Sequence, residues 1–227
     1  NNNTTQMEQK NTRENTEMGG VISAAESFIE KNKKLLTIAI IVIAVLALAI
    51  FGIVKWNASR DAKANAAMFG AEQYFANGEY ELALNGNTQF AGLLDVADQY
   101  GSTKSGNRAK YQAALCYMYT GKYSEAIDML NSYKGKDKVT PIMKEITLGS
   151  AELEQGNNAA ASKHFEKAIK ASKGYEDLAS YAIYLNGMAY LLDGNMEKAN
   201  AQFNELKNYP RTNEYRLADQ MIGLTEK

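Results

Sequence analysis

A continuous apolar segment lies between a polar N-terminal part and a longer, mixed C-terminal part. Leu35–Val54 carries no charge, and most of its positions are Leu, Ile, Val or Phe. At roughly 1.5 Å per helical residue this segment spans about 30 Å, the thickness of a bilayer's hydrocarbon core. Each large apolar residue contributes roughly −0.3 to −0.6 kcal/mol to insertion, so the sum favours insertion by several kcal/mol. The pattern predicts a transmembrane helix over residues 35–54.

Two other interpretations of this segment are weaker. A core helix of a soluble domain rarely stays apolar on every face over this length. A cleavable signal has an apolar region of about 7–15 residues close to the N-terminus. Here a polar tail comes first, and the small-x-small sequence Ala64-Asn65-Ala66 lies far beyond the apolar segment. We therefore favour a membrane anchor.

Basic residues on both sides of the segment bear on its orientation. They are Lys31, Lys33 and Lys34 on the N-terminal side, and Lys55, Arg60 and Lys63 on the C-terminal side. The positive-inside rule is nearly balanced by this count, but the tighter cluster comes first. The sequence thus favours a cytoplasmic N-terminus and an exported C-terminal part, with Trp56 at the interface.

The segments before the anchor are of two kinds. Residues 1–20 are polar, rich in Asn and Thr, and nearly free of large apolar side chains, which predicts a disordered tail. Residues 21–34 place apolar side chains on one helical face. They predict either a short interfacial helix leading into the membrane or a simple extension of the anchor helix.

A short pattern recurs four times after the anchor. The copies are GEYELA at 78–83, GKYSEA at 121–126, GNNAAA at 156–161 and GNMEKA at 194–199. Seven residues before each glycine stands a small residue: Ala71, Ala114, Gly149 or Gly187. Three residues after the small one come Tyr74, Tyr117, Glu152 and Tyr190. Four residues after each final alanine come Asn87, Leu130, Phe165 and Phe203.

The spacing indicates pairs of antiparallel helices. A small residue lets two helices approach closely, and the glycine ends the first helix in a left-handed conformation. The aromatic and the second small residue then fill and narrow the contact between the helices. The separations between successive turn glycines are close to the period of tetratricopeptide repeats, which is in the mid-thirties. At least three stacked repeats are usually needed for stability. Asn85-Gly86-Asn87 should bend or break the second helix of the first pair.

The predicted fold is therefore all-α. It consists of one transmembrane helix followed by a tetratricopeptide-repeat solenoid of about four repeats over residues 55–227. Thr212 is expected to cap a last helix whose residues Tyr215, Ala218, Met221 and Ile222 cover the end of the stack. Only two prolines occur in the chain, and Ala, Leu, Glu and Lys are frequent, as expected of helices.

Composition argues against several classes of function. The formal net charge of −1 lacks the basic excess of nucleic-acid-binding proteins. Cys116 lies in an apolar stretch and is expected to be a small buried hydrophobe. His164 is predicted on a solvated helix face, and GSTKSG at 101–106 is predicted to be a loop between repeats, since it lacks the order of a phosphate-binding loop. We predict no catalytic set, cofactor or metal site.

The approach to the membrane adds a resemblance. Phe28, Asn32 and Lys34 form an F-x-x-x-N-x-K spacing directly before Leu35. Together with the order of tail, single anchor and repeats, this resembles the YfgM family of bacterial inner-membrane proteins. The resemblance implies a periplasmic repeat domain that associates with the SecYEG translocon and the membrane-anchored chaperone PpiD and assists newly exported proteins. The long Asn-rich tail and the Tyr-rich, weakly charged domain depart from that family.

A partner-binding groove is predicted on the first helices of the repeats, which line the concave face of such a stack. Counting from the small residue of each repeat gives a mostly aromatic, Met and aliphatic set, suited to apolar peptide segments or a partner's helix. The set is Arg108, Tyr111, Leu115, Met118, Met143, Ile146, Ser150, Leu153, Tyr181, Tyr184, Met188 and Leu191. The alternative is that these side chains pack against one another or against the final helix.

The sequence favours a protein-interaction module that holds a partner chaperone or a translocating chain. The first rival is a structural scaffold for envelope assembly or division. The second is a cytoplasm-facing receptor for soluble chaperones, which the missing Lys, Asn and Arg of a carboxylate-binding groove disfavours. The third is an enzyme.

Overall fold

A computed structural model describes residues 28–135 and 137–226 of the chain. The predicted tail, residues 1–20, and residues 21–27 of the predicted juxtamembrane segment lie outside the described residues. The chain divides into two compact units, Asn1–Asn57 and Ala58–Lys227.

Helix α1, Lys33–Ala76, contains the whole apolar segment. It is long and apolar enough to cross a membrane, judged by length and composition alone, and none of its most apolar window is buried. The core helix of a soluble domain would be mostly buried. The exposure of Leu35, Ile43 and Phe51 therefore argues against the soluble-core interpretation.

Helices follow one another through the rest of the described chain, which has no β-strand. They are α2 Tyr80–Asn85, α3 Leu93–Tyr100, α4 Lys104–Tyr119, α5 Tyr123–Ser132, α6 Thr140–Glu154, α7 Asn158–Ala171, α8 Glu176–Leu192, α9 Met196–Glu205 and α10 Ala218–Thr225. Helix pairs α4–α5, α6–α7 and α8–α9 pack together, and α10 packs on α9. In the first pair, the C-terminal part of α1 packs against α2 and α3, which together take the place of a single second helix.

The predicted packing within the pairs is confirmed. Gly149 of α6 lies against the ring of Phe165 of α7, and a Cβ at Gly149 would stand 2.6 Å from Cε1 of that ring. Gly187 of α8 meets the ring of Phe203 of α9 in the same way. The turn glycines have the predicted left-handed conformation, for example Gly121 with φ 73° between α4 and α5.

The predicted break in the first pair is also present. Helix α2 ends at Asn85, and Gly86 has φ 71°, a conformation that favours glycine. The Asn87 carboxamide oxygen then accepts hydrogen bonds from the backbone N–H groups of Gln89 and Phe90, at 2.8 and 2.9 Å. This turn directs the chain into α3 and sets the ring of Phe90 against Gly70 of α1.

The end of the stack differs in detail from the prediction. Ala218, Met221 and Ile222 are buried as expected, but Tyr215 is 42 % exposed. Thr212 accepts a hydrogen bond from the backbone N–H of Tyr215, and residues 214–217 form a 3₁₀ turn before α10 begins. Thr212 therefore caps this short turn, because the chain needs an extra turn to bring α10 back onto α9.

The first helix is tied to the second repeat by a carboxylate. Asp61 Oδ1 accepts a hydrogen bond from the backbone N–H of Ser105, at 2.7 Å, in the first turn of α4. This bond is the main reason that the pKa of Asp61 lies below its ordinary value of 3.8. Asp61 thus supplies a negative charge to the positive end of the α4 dipole.

Replacing Asp61 by alanine is expected to lower the free energy of unfolding by about 1 kcal/mol at neutral pH, the size of a lost helix cap. Because the folded-state pKa is depressed, the carboxylate stabilises the fold above its unfolded pKa, and that stabilisation is lost as pH falls through the folded value. Unfolding curves of the wild type and the variant should therefore converge below a pH of about 4. Asp128→Ala, at an exposed position of α5, serves as the control.

Candidate interaction surface

The exposed apolar side chains of the first helices lie at one edge of the predicted groove face or just beyond it. Successive helical residues are rotated by about 100° about the helix axis. Measured about that axis from the small residue of each repeat, the predicted groove positions lie between about 40° and 120°. The most exposed side chains lie at about 120° to 140°. They are Tyr181 at 41 %, Tyr119 at 63 % and Leu192 at 59 % exposed.

Two predicted groove residues are engaged inside the stack. Ile146 is only 4 % exposed and belongs to the core between α6, α7 and α8, so it is not available to a partner. The Tyr111 ring packs beside that of Tyr133, at 5.2 Å between centroids, and its hydroxyl lies 3.4 Å from the Thr147 hydroxyl. Burial raises the pKa of Tyr111.

The fourth repeat supports the packing alternative for three residues. Tyr184, Met188 and Leu191 pack against the cluster that α10 completes, and the Tyr184 ring lies 6.4 Å from that of Phe203. Tyr181 points away from this cluster and is exposed. The other predicted residues of the second and third repeats are half-buried: Leu115, Met118, Met143, Ser150 and Leu153.

Arg108 is exposed but already has partners on α1. Its guanidinium donates to the side-chain oxygen of Asn65 and forms an ion pair with Glu72, each at 3.0 Å. Exposed ion pairs contribute little to stability, typically about 0.2–1 kcal/mol. Arg108 therefore aligns α4 with α1 and leaves its charge partly neutralised on the groove surface.

An aromatic cluster between the first and second repeats was missed by the sequence analysis. The rings of Tyr80 and Tyr119 stack at 4.5 Å, and Phe75 meets both edge-on, at 5.7 and 6.3 Å. Phe69, another aromatic residue of α1, is 61 % exposed. Tyr119 and Leu192 stand five residues after the small residue of their repeats, one position beyond those that were counted. Extending the count by one would have found them.

The residues that could have served in catalysis, phosphate binding or metal binding make structural contacts instead. His164 is half-buried, and its Nδ1 lies 2.7 Å from the Glu145 carboxylate, so the predicted solvated face is wrong. The pair joins α7 to α6, since the two helices approach closely at Gly149. GSTKSG comprises a loop and the start of α4, where Thr103 accepts from the backbone N–H of Gly106 at 3.0 Å. No group of His, Cys, Asp and Glu suited to a metal occurs among the described residues.

Cys116 is buried in the first core cluster, as predicted. Burial raises the pKa of its thiol to about 12. Because the thiolate is the reactive form, we expect Cys116 to resist iodoacetamide at pH 8 in the folded protein and to react promptly in denaturant. Mass spectrometry of the alkylated peptide measures both rates. Prompt modification of the folded chain would contradict the packing of α4.

Comparisons with known proteins agree with the fold. No family model matches the sequence, and no curated protein matches it. The similar solved structures include the crystal structure of a point variant of a protein from Podosopora anserina, designated a kinesin light chain, with nearly identical TPR-like repeats. It is 14 % identical with a TM-score of 0.58, covering 73 % of this chain and 85 % of that one. The chain is thus an all-α tetratricopeptide-repeat solenoid.

Proposed function

We propose that the protein is a membrane-anchored interaction module whose repeat domain lies in the periplasm and binds protein partners near the export channel. The observation that carries the proposal is the exposure of four large apolar side chains on the first helices, Phe69, Tyr119, Tyr181 and Leu192, in a chain whose described residues also include a membrane-spanning candidate. Large rings at the surface of a soluble domain offer contact area at a low cost in side-chain entropy.

The identity of the partners is proposed from the resemblance described above. It points to the SecYEG translocon and to a membrane-anchored chaperone of the PpiD type, with newly exported chains as transient ligands. The proposed mechanism is binding without chemistry: the anchor keeps the groove close to the channel exit, which raises its effective concentration for partners in the same membrane.

Purification in mild detergent with quantitative mass spectrometry tests the partners. The comparison uses the wild type and the double variant Tyr119→Ser/Leu192→Ser, whose helical circular dichroism is checked first because Tyr119 also stacks on Tyr80. We expect channel subunits and a membrane-anchored chaperone to be enriched with the wild type and depleted with the variant. Enrichment of a single envelope-assembly protein would support the scaffold alternative instead.

Cysteine labelling tests the proposed topology. In a Cys116→Ser background, single cysteines are placed at Asn11 in the N-terminal tail and at Asp128 on α5. A membrane-impermeant maleimide is expected to label the Asp128 position in intact spheroplasts and the Asn11 position only after lysis. The reverse pattern would place the repeats in the cytoplasm and favour a receptor for soluble chaperones.

A further inference from the structure

A basic cleft lies between the start of α4 and the residues that follow α5. Its volume is about 800 Å³, and three lysines contribute to its walls, with a single carboxylate among the lining residues. The residues that line it are Gly101, Ser102, Thr103, Lys104, Asn107, Lys110, Tyr133, Lys134 and Asp137. A second cleft beside it shares Gly101, Ser102 and Lys110 and includes Arg60.

The three lysines of the cleft keep most of their positive charge unpaired, although Lys104 helps to lower the pKa of the Asp61 carboxylate. Within the described residues, none of Lys104, Lys110 and Lys134 forms an ion pair, whereas Lys122 pairs with Glu81 at 2.8 Å. The carboxylate of Asp137 accepts from the backbone N–H groups of Val139 and Thr140 and from the Thr140 hydroxyl. These bonds lower its pKa and hold it at the start of α6. The cleft therefore keeps an excess of positive charge.

The start of helix α4, which borders the cleft, already has its hydrogen-bond partners. Asp61 accepts from the backbone N–H of Ser105, and Thr103 accepts from that of Gly106. The anion-binding capacity of the cleft therefore depends on the ammonium groups of the lysines. The Asn107 side chain links α4 to the opposite wall of the cleft. It donates a hydrogen bond to the Lys134 carbonyl oxygen at 2.8 Å and accepts one from the Lys134 backbone N–H at 3.0 Å.

The number of residues between the predicted membrane segment and the cleft limits how far the cleft can lie from the bilayer. The Arg60 guanidinium donates to the carbonyl of Gln99 and to the Ser102 hydroxyl, and it lies 5.8 Å from the centre of the Tyr100 ring. Arg60 follows the end of the predicted membrane segment by six residues, a distance of at most about 21 Å when fully extended and about 9 Å as helix. Headgroups and their surface potential extend over a comparable distance from the hydrocarbon core.

We propose that this cleft binds the phosphate-bearing headgroups of anionic phospholipids in the membrane that holds the anchor. The inference rests on the anchor of the proposed function and is independent of any protein partner. Lysines at a membrane surface attract anionic lipid without needing a fixed geometry. Headgroups bound at Lys104, Lys110 and Lys134 would hold the second repeat against the bilayer and so fix the direction in which the groove faces.

Lysine footprinting of the full chain in nanodiscs tests the proposal. Discs of neutral phosphatidylcholine are compared with discs that also contain phosphatidylglycerol, using an amine-reactive reagent and mass spectrometry. We expect modification of the three cleft lysines to be several-fold slower in the anionic discs at low salt, and to recover at high salt. The matched controls Lys163, Lys170 and Lys173, on or just after α7, should react equally in both. Equal rates at the cleft lysines, or equal protection of the controls, would overturn the proposal.

Two further arms separate the sources of phosphate and the role of the side chains. Glycerol phosphate added to neutral discs should leave the cleft lysines unprotected; protection there would identify a soluble anion as the ligand and overturn the lipid assignment. Hydrogen exchange of the peptide over residues 99–107 should slow in anionic discs for the wild type and for Lys163→Gln/Lys170→Gln/Lys173→Gln. It should not slow for Lys104→Gln/Lys110→Gln/Lys134→Gln, and slowing there would contradict the proposal.

Discussion

Two lysines in the middle of the apolar segment, at Ile43 and Leu46, are expected to abolish stable membrane insertion. Each costs roughly 2.5–3.5 kcal/mol at the centre of a helix and removes a favourable contribution of about 0.3–0.6 kcal/mol. The pair therefore costs about 6–8 kcal/mol, which cancels the several kcal/mol that favour insertion. Carbonate extraction of membranes should move the double variant into the soluble fraction.

Single and apolar substitutions at the same positions provide the controls. Leu46→Lys alone costs about half as much, so most of that variant should stay in the membrane pellet. Ile43→Ala/Leu46→Ala changes the size of the same side chains without adding charge and should remain inserted. Retention of the double lysine variant would mean that contacts other than hydrophobic insertion hold the chain at the membrane.

Replacing Gly149 by alanine is expected to lower the free energy of unfolding of the repeat domain by about 1–3 kcal/mol, the usual cost of an overpacked core. The added Cβ would stand 2.6 Å from the fully buried Phe165 ring, so the ring or one of the two helices would have to shift. Urea unfolding of the full chain in detergent, followed by circular dichroism at the helical bands, measures the change.

Gly223 offers a matched control in α10, because nothing lies within 4 Å of a Cβ at that position. Gly223→Ala should raise stability by about 0.5–1 kcal/mol, since alanine restricts the unfolded chain more than glycine does. Gly149→Ala/Phe165→Leu should be less destabilised than the sum of the two single changes, because the smaller side chain makes room for the methyl group. Strict additivity would show that the two residues are not in contact.

The helix pairs could be predicted because their spacing follows directly from packing. A small residue, a turn glycine and an aromatic at fixed separations leave few alternatives, and Gly149, Phe165 and Gly121 occupy the expected places. The break at Gly86 was predictable for a similar reason, since a short run of Asn and Gly disfavours a helix. Such features depend on residues that lie close together in the sequence.

The interaction surface was less predictable, because it depends on how much each repeat rotates against the next. Counting from the small residue placed Ile146 in the groove, while the approach of α8 buries it. The stacking of Tyr80 on Tyr119 joins residues of different repeats and has no signal within either one. The same holds for the pair of His164 and Glu145, which the approach of α6 and α7 creates. Contacts between elements that are distant in sequence need the assembled stack.

Site-specific photo-crosslinking in living cells tests the central claim most directly. A photoreactive amino acid replaces Tyr119 or Tyr181 on the first helices, and Asp128 or Lys163 on the second helices as controls. All four residues are exposed. We predict that the first two positions form adducts with the export channel, with a membrane-anchored chaperone or with newly exported chains, and that the controls form few. Equal adducts at all four positions, or adducts confined to cytosolic proteins, would contradict an interaction surface that works on the exported side of the membrane.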